Sequence, residues 1–355
     1  MRNLTFFENL LPEGELRQYL AQRIKASTLF SLLREVAGDT AGGFVIVPAG
    51  QAPRAPTYEA TTWEALAGLL GPKSASAIDI KGRGARISLA GAQDKTPIAI
   101  FDDGAPRLPR GTAPSTQILK PDIKRWSKVW HSAANEAIIM LSAAKCGLPT
   151  AAVFYERHTR SCVVRRFDRV ARADGTLGRL IQYDLCQLTG TLAEKKYEKE
   201  GGPGIAACAE MIRADSTRPA ADLRAFVSWI LFNLFVGNND SHAKNLAMVE
   251  VRAGGVALAP FYAGLSREFA FAVGGEVMPG SISRGHLDAM AAELRMRPQF
   301  IARLARQLAK AMPPAVDAAL QTVSPALPHG AKVLATRLKN FALSTTAKVA
   351  SRVDQ

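Results

Sequence analysis

The chain has 355 residues, of which 48% are hydrophobic and 21% are charged. This composition excludes a largely disordered chain and predicts a globular protein with a sizeable core, long enough for two or three domains. The net charge of +14 at pH 7 favours a polyanionic partner such as a nucleotide or a nucleic acid. The four cysteines form no C-x-x-C pair, which argues against a zinc site and for a reducing compartment.

The sequence predicts neither a signal peptide nor a membrane span. Glu8 interrupts the amino-terminal run that would have to be apolar in a signal peptide. The longest apolar stretch, residues 226–236, is too short to cross a bilayer. We therefore expect a cytoplasmic protein without membrane contact.

The predicted elements change in character along the chain. Residues 1–75 are expected to form helices and one buried strand at 42–48, which glycine and proline bound. Residues 76–170 contain short β-type runs around one helix at 131–146, and residues 171–355 are mainly helical. Strands followed by helices predict an α+β fold rather than a doubly wound sheet.

One polar segment follows an apolar helix and precedes a strand, which predicts a tight loop at the edge of a core. In this loop Asp240 and Asn245 are five residues apart, as in the D-x-x-x-x-N catalytic loop of protein kinases. In such a loop the carboxylate accepts a hydroxyl proton and the amide oxygen holds a metal ion. The spacing alone also suits an ordinary polar turn.

A kinase also needs a cation for the nucleotide phosphates. Lys120 ends an apolar strand, and Glu136 on the following helix is a candidate ion-pair partner, because a buried lysine is costly unless it is paired. The alternative is an exposed lysine at a strand end. Residues 88–96 lie between two strands and offer small residues whose backbone N–H groups suit a phosphate.

Together these segments resemble the HipA family, the kinase toxins of bacterial toxin–antitoxin modules. The resemblance runs in the family's order over residues 7–266 and implies a two-lobed, protein-kinase-like α+β fold, with residues 76–170 as the N-lobe and 171–355 as the C-lobe. The stretches that carry it are residues 7–12 (FENLLP), 86–95 (RISLAGAQDK), 118–120 (ILK), 135–136 (NE), 166–169 (RFDR), 196–198 (KYE), 201–204 (GGPG), 240–245 (DSHAKN) and 260–262 (PFY).

The resemblance implies ATP and Mg²⁺ as cofactors and a role for each matching residue. Asp240 would be the catalytic base, Asn245 a magnesium ligand, Lys120 a phosphate-binding lysine paired with Glu136, and Ser88 the serine whose autophosphorylation silences the kinase. An ordinary strand serine is the alternative for Ser88. The further nucleotide contacts implied are Ala90, Gly91, Ala92, Gln93, Asp94 and Lys95 in a phosphate loop, Arg165, Arg166 and Phe167 in a hinge strand, and His242, Ala243, Lys244 and Tyr262.

Two departures from the family pattern matter. The segment at residues 9–12 lies so close to the start that the family's small amino-terminal sheet domain is expected to be missing, as in the short HipT type; an incomplete chain is the alternative. Ala263 stands where the family has the metal-binding aspartate, and an alanine methyl cannot ligate Mg²⁺. We expect a weakly active or inactive form, from either an introduced substitution or a natural pseudokinase.

The expected partners follow from the same resemblance. They are a HipB-like DNA-binding antitoxin, a small HipS-like protein that resembles the missing domain, and operator DNA bound through the complex. The expected protein substrate is an aminoacyl-tRNA synthetase, whose phosphorylation would arrest growth and favour persistence. Two alternatives stay open: a catalytically dead co-repressor, which Ala263 and the basic residues of the tail at 295–355 favour, and a small-molecule phosphotransferase. The basic tail also suits solvated helix faces.

Overall fold

The structure, a computed structural model, describes residues 2–23, 25–36, 38–53, 55–70, 87–88, 95–123, 130–261 and 269–353. The chain divides into two compact units. The first comprises Met1–Ala134 and Ala152–Gln182, and the second comprises Asn135–Ala151 and Tyr183–Gln355. The sequence predicted boundaries at residues 75 and 170, whereas the chain passes for the last time into the second unit at residue 183.

The first unit is built on an antiparallel sheet of six strands in the order β2-β5-β4-β6-β8-β7. Its core contains Ile98, Leu119 and Val163, which pack with Leu66 of helix α4. Its strands and the other strands of the unit are β1 Asp39–Thr40, β2 Thr57–Ala60, β3 Ile87–Ser88, β4 Thr96–Ile100, β5 Pro106–Arg110, β6 Gln117–Pro121, β7 Val153–Glu156, β8 Ser161–Arg165, β9 Arg169–Ala171 and β10 Leu177–Arg179.

Short helices accompany this sheet: α1 Arg2–Glu8, α2 Gly14–Arg23, α3 Leu29–Val36 and α4 Trp63–Leu69. Helix α4 begins after Thr62, whose side chain accepts a hydrogen bond from the amide of Ala65 at 3.1 Å and so caps the helix.

The buried strand predicted at residues 42–48 is wrong. Gly42 and Gly43 have φ values of 93° and 77°, and a Cβ on either would meet a backbone oxygen at less than 3 Å, so this segment turns where a strand was expected. The strand lies just before it, at β1, which pairs in parallel with β3 so that Thr40 is opposite Ser88.

The second unit is helical around one central helix. Its elements are α5 Ser132–Lys145, which begins in the first unit, β11 Gln182–Asp184, where the chain passes between units, and α6 Leu185–Thr189, α7 Ile205–Asp215, α8 Pro219–Val236, β12 Ala247–Glu250, β13 Val256–Leu258, α9 Arg284–Glu293, α10 Pro298–Val323 and α11 His329–Val353. Strands β12 and β13 are antiparallel. Helix α8 is apolar on all sides, which is typical of a helix enclosed by others, and its Phe226, Phe232 and Phe235 are buried.

Among the described residues, helix α8 is long and apolar enough to cross a membrane. However, 67% of its 18 residues are buried inside the protein. That burial is expected of a core helix. Helix α8 ends at Gly237, whose φ of 64° is the left-handed conformation that glycine adopts readily.

Candidate functional site

The loop between α8 and β12 carries the predicted catalytic residues. Its start is tied to the end of α8, because the backbone amide of Asn238 donates to the Asn233 carbonyl at 2.9 Å and its side-chain amide donates to Asn233 Oδ1 at 2.7 Å. Ser241 and His242 are also buried, and Ser241 Oγ and His242 Nδ1 have no hydrogen-bond partner in the described part of the chain. Buried polar groups of this kind often mark a functional site.

Asp240 and Asn245 close this loop into a compact turn. The side-chain amide of Asn245 donates to the backbone carbonyl of Asp240, and its backbone amide donates to the His242 carbonyl at 2.9 Å. The five-residue spacing thus brings the two predicted residues together. The hydrogen bond uses the amide nitrogen of Asn245, so its Oδ1, a hard oxygen ligand of the kind Mg²⁺ prefers, is not engaged by that contact.

The carboxylate of Asp240 is half-buried and accepts a hydrogen bond from the hydroxyl of Tyr197 at 2.6 Å. Its Oδ1 also lies 3.7 Å from His242 Nε2, and the rings of His242 and Tyr197 meet edge to face at 5.1 Å. Burial, and then the positive charges of Lys196 and Lys244, hold the pKa of His242 well below its ordinary value of 6.5. His242 is therefore neutral at pH 7 and forms no ion pair with Asp240.

Lys244 is committed to a contact inside the second unit. Its Nζ lies 3.0 Å from Asp184 Oδ2, and Asp184 also caps helix α6 by accepting from the amide of Gln187 at 2.7 Å. Ala243, beside Lys244, is fully buried. The expected role of these two residues in lining a nucleotide stays a prediction.

Lys120 is only 8% exposed and lies on β6 opposite Cys162 of β8. It is therefore not the exposed strand-end lysine of the alternative interpretation. Glu136 is 6% exposed and lies on α5, in the part that belongs to the second unit. The ion pair between Lys120 and Glu136 stays a prediction.

The predicted hinge residues have different surroundings. Arg165 is exposed at the end of β8 and Phe167 is half-buried, whereas Arg166 is only 3% exposed. The guanidinium of Arg166 donates to both carboxylate oxygens of Asp168, at 2.9 and 2.7 Å, and to the carbonyl of Thr40 at 2.8 Å. Because its donors are engaged there, a nucleotide contact of Arg166 would have to come from its backbone.

Arg166 belongs to a group of charges that we call the buried ion cluster: Asp39, Arg166, Asp168, Arg169 and Arg179. Burial alone would raise the pKa of Asp39, but the three arginines hold it below its ordinary value. Likewise, burial acts to raise the pKa of Asp168, and Arg166 and Arg169 lower it to about 2. Sequence reasoning missed this cluster; the alternating charges of residues 166–169 were its only local signal.

Several predicted site residues lie outside the described residues, and their assignments stay predictions. These are Ala90, Gly91, Ala92, Gln93, Asp94, Tyr262 and Ala263, and also the side chain of Ser88, whose backbone forms β3. Lys95 is half-buried just before β4. Among the described residues, no group of three or more His, Cys, Asp or Glu side chains could hold a metal ion.

Comparison with known proteins places this arrangement in a family. The model of the HipA-like C-terminal domain matches residues 87–316, and that of the HipA N-terminal domain matches residues 2–47. The chain belongs to the HipA family. The model of the HipA N-terminal domain thus matches the start of this HipA-family chain. The expected absence of the small sheet domain before residues 9–12 and the likeness to the short HipT type stay predictions.

Two curated relatives share much of this sequence. The chain is 37% identical over 258 residues to the putative kinase Y4mE of Sinorhizobium fredii, a match that covers 69% of this chain and 60% of Y4mE. It is 28% identical over 345 residues to the serine/threonine-protein kinase toxin HipA of Shewanella oneidensis, covering 90% of this chain and 78% of that protein. The chain thus spans well under two thirds of the length of Y4mE.

A solved structure has the same fold. It is the complex of Shewanella oneidensis HipA with HipB and operator DNA, which matches with a TM-score of 0.85 at 24% identity and covers 99% of this chain and 86% of the matched chain. This likeness confirms the predicted α+β fold of HipA type, with strand-rich and helical regions.

Proposed function

We propose that this HipA-family chain is a serine/threonine-protein kinase of the toxin type. The observation that carries the proposal is the loop in which Asn245 closes onto Asp240, with the half-buried Asp240 carboxylate held by Tyr197. Membership of the HipA family and the kinase names of the relatives support it.

The chemistry follows from the residue types. The oxygen of a serine or threonine hydroxyl attacks the γ-phosphorus of ATP, the bond from that phosphorus to the bridging oxygen breaks, and ADP leaves. The hydroxyl proton passes to the carboxylate of Asp240, and Lys120 offsets charge on the phosphates. Ser88 is the proposed site of autophosphorylation, and residues 90–95, 165–167 and 242–244 are the proposed nucleotide contacts.

The donor set fits Mg²⁺ only in part. When bound, the ion would neutralise charge that develops on the phosphates. Mg²⁺ in kinases is held by one or two protein oxygens together with phosphates and water, and Asn245 Oδ1 is one such oxygen. Where the family has a second, aspartate ligand, the sequence has Ala263, whose methyl group cannot serve as a ligand. We therefore propose that this chain transfers phosphate slowly.

The test compares the chain with its Ala263→Asp variant and with that variant carrying Asp240→Asn. We expect Ala263→Asp to raise Mg²⁺-dependent autophosphorylation at Ser88 by about a hundredfold or more, because charge stabilisation of this kind is worth roughly 3 kcal/mol. Asp240→Asn should abolish the gain. Phosphopeptide mass spectrometry and growth after induction are the measurements.

Asp174→Asn in the restored form is the matched control, since the Asp174 carboxylate caps an exposed turn of the first unit by accepting from Thr176. It should leave activity unchanged. If the Ala263 form is as fast as the Asp form, position 263 is not the metal site. If the restored form transfers no phosphate to any protein, the proposed function is wrong.

We further propose a cytoplasmic toxin–antitoxin complex around this kinase. Its members would be a HipB-like antitoxin, a small HipS-like protein and operator DNA, and its substrate would be an aminoacyl-tRNA synthetase. The support is that the Shewanella HipA of the same fold was solved with HipB and operator DNA. Co-purification from the native host, followed by mass spectrometry of phosphorylated proteins, tests both points.

A second candidate is a catalytically dead co-repressor, which Ala263 favours. In that case the complex would bind its operator without phosphoryl transfer, and the Asp240→Asn variant would bind DNA as well as the original chain does. Phosphorylation of a host protein by the Ala263 form at a rate comparable with the Asp form would exclude this candidate.

A further inference from the structure

Tyr197 lies in a turn that leaves its backbone little freedom. The amides of Glu200 and Gly202 both donate to the Tyr197 carbonyl at 3.0 Å, which folds the chain back on this residue. A Cβ on Gly202 would lie 2.3 Å from the Lys195 carbonyl oxygen, so only glycine lets the turn close this tightly.

The next residue, Glu198, anchors the turn to a separate stretch of the second unit. Its carboxylate accepts a hydrogen bond from the amide of Ala272 at 2.7 Å, and its own amide donates to the Ala270 carbonyl at 3.3 Å. A Cβ on Gly204 would lie 2.3 Å from Glu198 Oε1, so this carboxylate packs directly against the backbone. The backbone of Tyr197 is therefore fixed by the turn that it closes and by the contacts of the neighbouring Glu198.

The side chain of Tyr197 is held as well. Its ring meets the ring of buried His242 edge to face at an angle of 90°, and Lys196 Nζ lies 5.6 Å from the ring centroid. From this support the hydroxyl reaches Asp240 Oδ1 at 2.6 Å, the length of a charge-assisted hydrogen bond to a carboxylate. The hydroxyl is thus a fixed donor to the proposed catalytic base.

We propose that Tyr197 is a positioning residue for phosphoryl transfer, which rests on the proposed function. By holding Oδ1, it sets the rotation of the Asp240 carboxylate so that the other oxygen takes the proton of the substrate hydroxyl. A fixed rotation matters because small errors in the position of a reacting group are costly in rate.

Three basic residues of the second unit near this carboxylate have described surroundings. His242 is neutral, Lys244 is paired with Asp184 in the same unit, and Lys196 lies over the Tyr197 ring. Replacing Tyr197 by phenylalanine keeps the ring contacts with His242 and Lys196 and removes only the hydroxyl. Tyr197→Phe therefore removes the hydrogen bond to Asp240.

The first test measures kinetics in the Ala263→Asp form. Tyr197→Phe should lower kcat about tenfold and leave the KM for ATP unchanged, since it misplaces the base without touching nucleotide contacts. The matched control is Tyr58→Phe, which also removes one tyrosine hydrogen bond, from its hydroxyl to the Pro114 carbonyl at 3.0 Å in the first unit. The control should keep kcat.

The second test needs no catalysis and uses the chain as it is. A carbodiimide modifies carboxyl groups whose oxygens it can reach, and mass spectrometry reads the modification at Asp240. Tyr197→Phe should label Asp240 severalfold faster, because the hydroxyl no longer covers Oδ1, whereas Tyr58→Phe should not change the rate. Unchanged labelling in Tyr197→Phe overturns the inference.

The two tests separate this inference from the proposed function. Faster labelling with an undiminished kcat shows the hydrogen bond but overturns its role in positioning. A restored form that transfers no phosphate overturns the proposed function and the positioning role with it, while the labelling still reports whether Tyr197 holds the carboxylate. Faster labelling with a lowered kcat and a constant KM supports both.

Discussion

His242 is a buried base that the native structure keeps neutral. Its pKa lies well below the ordinary 6.5, so the unfolded chain binds a proton in a range where the folded chain does not. The protein therefore loses stability as the pH falls below the pKa that His242 has in the unfolded chain. The loss in the free energy of unfolding is on the order of 1 kcal/mol per pH unit.

We predict from this that His242→Gln reduces the loss of stability in acid. The measurement is urea unfolding at neutral and at mildly acidic pH, and the change in unfolding free energy between the two should be smaller in the variant. His329→Gln, at an exposed position, is the control and should leave the difference as it is. An equal acid sensitivity of His242→Gln and the unchanged chain would contradict the prediction.

Asp39 is fully buried and compensates the positive charge of the buried ion cluster. Asp39→Asn leaves Arg166, Arg169 and Arg179 with the single carboxylate of Asp168, and removing one partner of a buried pair typically costs about 3 to 5 kcal/mol. We expect a loss of this size in the free energy of unfolding, measured with urea.

The matched control for Asp39 is Asp103→Asn, because Asp103 also pairs with an arginine, Arg107, but at the protein surface. Surface ion pairs contribute little, so this variant should unfold almost as the original chain does. A loss in Asp39→Asn no larger than in Asp103→Asn would show that the cluster is not a stabilising element.

At the scale of elements, the junction between α8 and the proposed catalytic loop depends on Gly237. Its φ is 64°, and a Cβ there would approach the ring of Phe341 on α11 to 2.5 Å. We predict that Gly237→Ala destabilises the protein by more than the roughly 1 kcal/mol expected from the left-handed backbone alone.

Gly104→Ala supplies the control for the backbone cost, since Gly104 has a φ of 72° and its Cβ would meet no atom within 4 Å. The excess loss in Gly237→Ala is assigned to the clash with Phe341. Shortening that side chain, by Phe341→Ala in the Gly237→Ala background, should recover part of the excess in thermal unfolding. No recovery would exclude the clash as its cause.

Local patterns predicted several elements well. The helix predicted at residues 131–146 is α5, Ser132–Lys145, and the apolar run before the catalytic loop is α8. Helix α10 contains Pro313 and Pro314 and nevertheless continues to Val323. Buried residues on both sides of the prolines, such as Met312 and Val316, outweigh the cost of two prolines in a helix.

At the scale of the whole molecule, the charge of +14 predicts how a complex containing this chain would bind DNA. Affinity for an operator should fall steeply with salt, because each neutralised phosphate releases counterions. If the tail contacts DNA, replacing its exposed Lys332, Arg337 and Lys348 by glutamine should weaken binding and flatten the salt dependence.

The control replaces three exposed arginines elsewhere, Arg157, Arg160 and Arg252, by glutamine. This triple variant loses the same formal charge but keeps every basic residue of the tail. Titration of labelled operator with the purified native complex at several salt concentrations measures both. Equal effects of the two triple variants would show that only the net charge matters and that the tail is a solvated helix face.

The sequence by itself determined the family, the α+β class and the compact turn that joins Asp240 to Asn245. The family and the fold class came from the resemblance of short stretches in the family's order, and the turn comes from residues whose hydrogen bonds close within a few positions, as between Asn245 and Asp240. The tertiary structure decided the partners of these residues. Tyr197 meets Asp240 across 43 positions and Arg166 meets Asp39 across 127, and such contacts leave no periodic trace in the chain because folding alone brings their residues together.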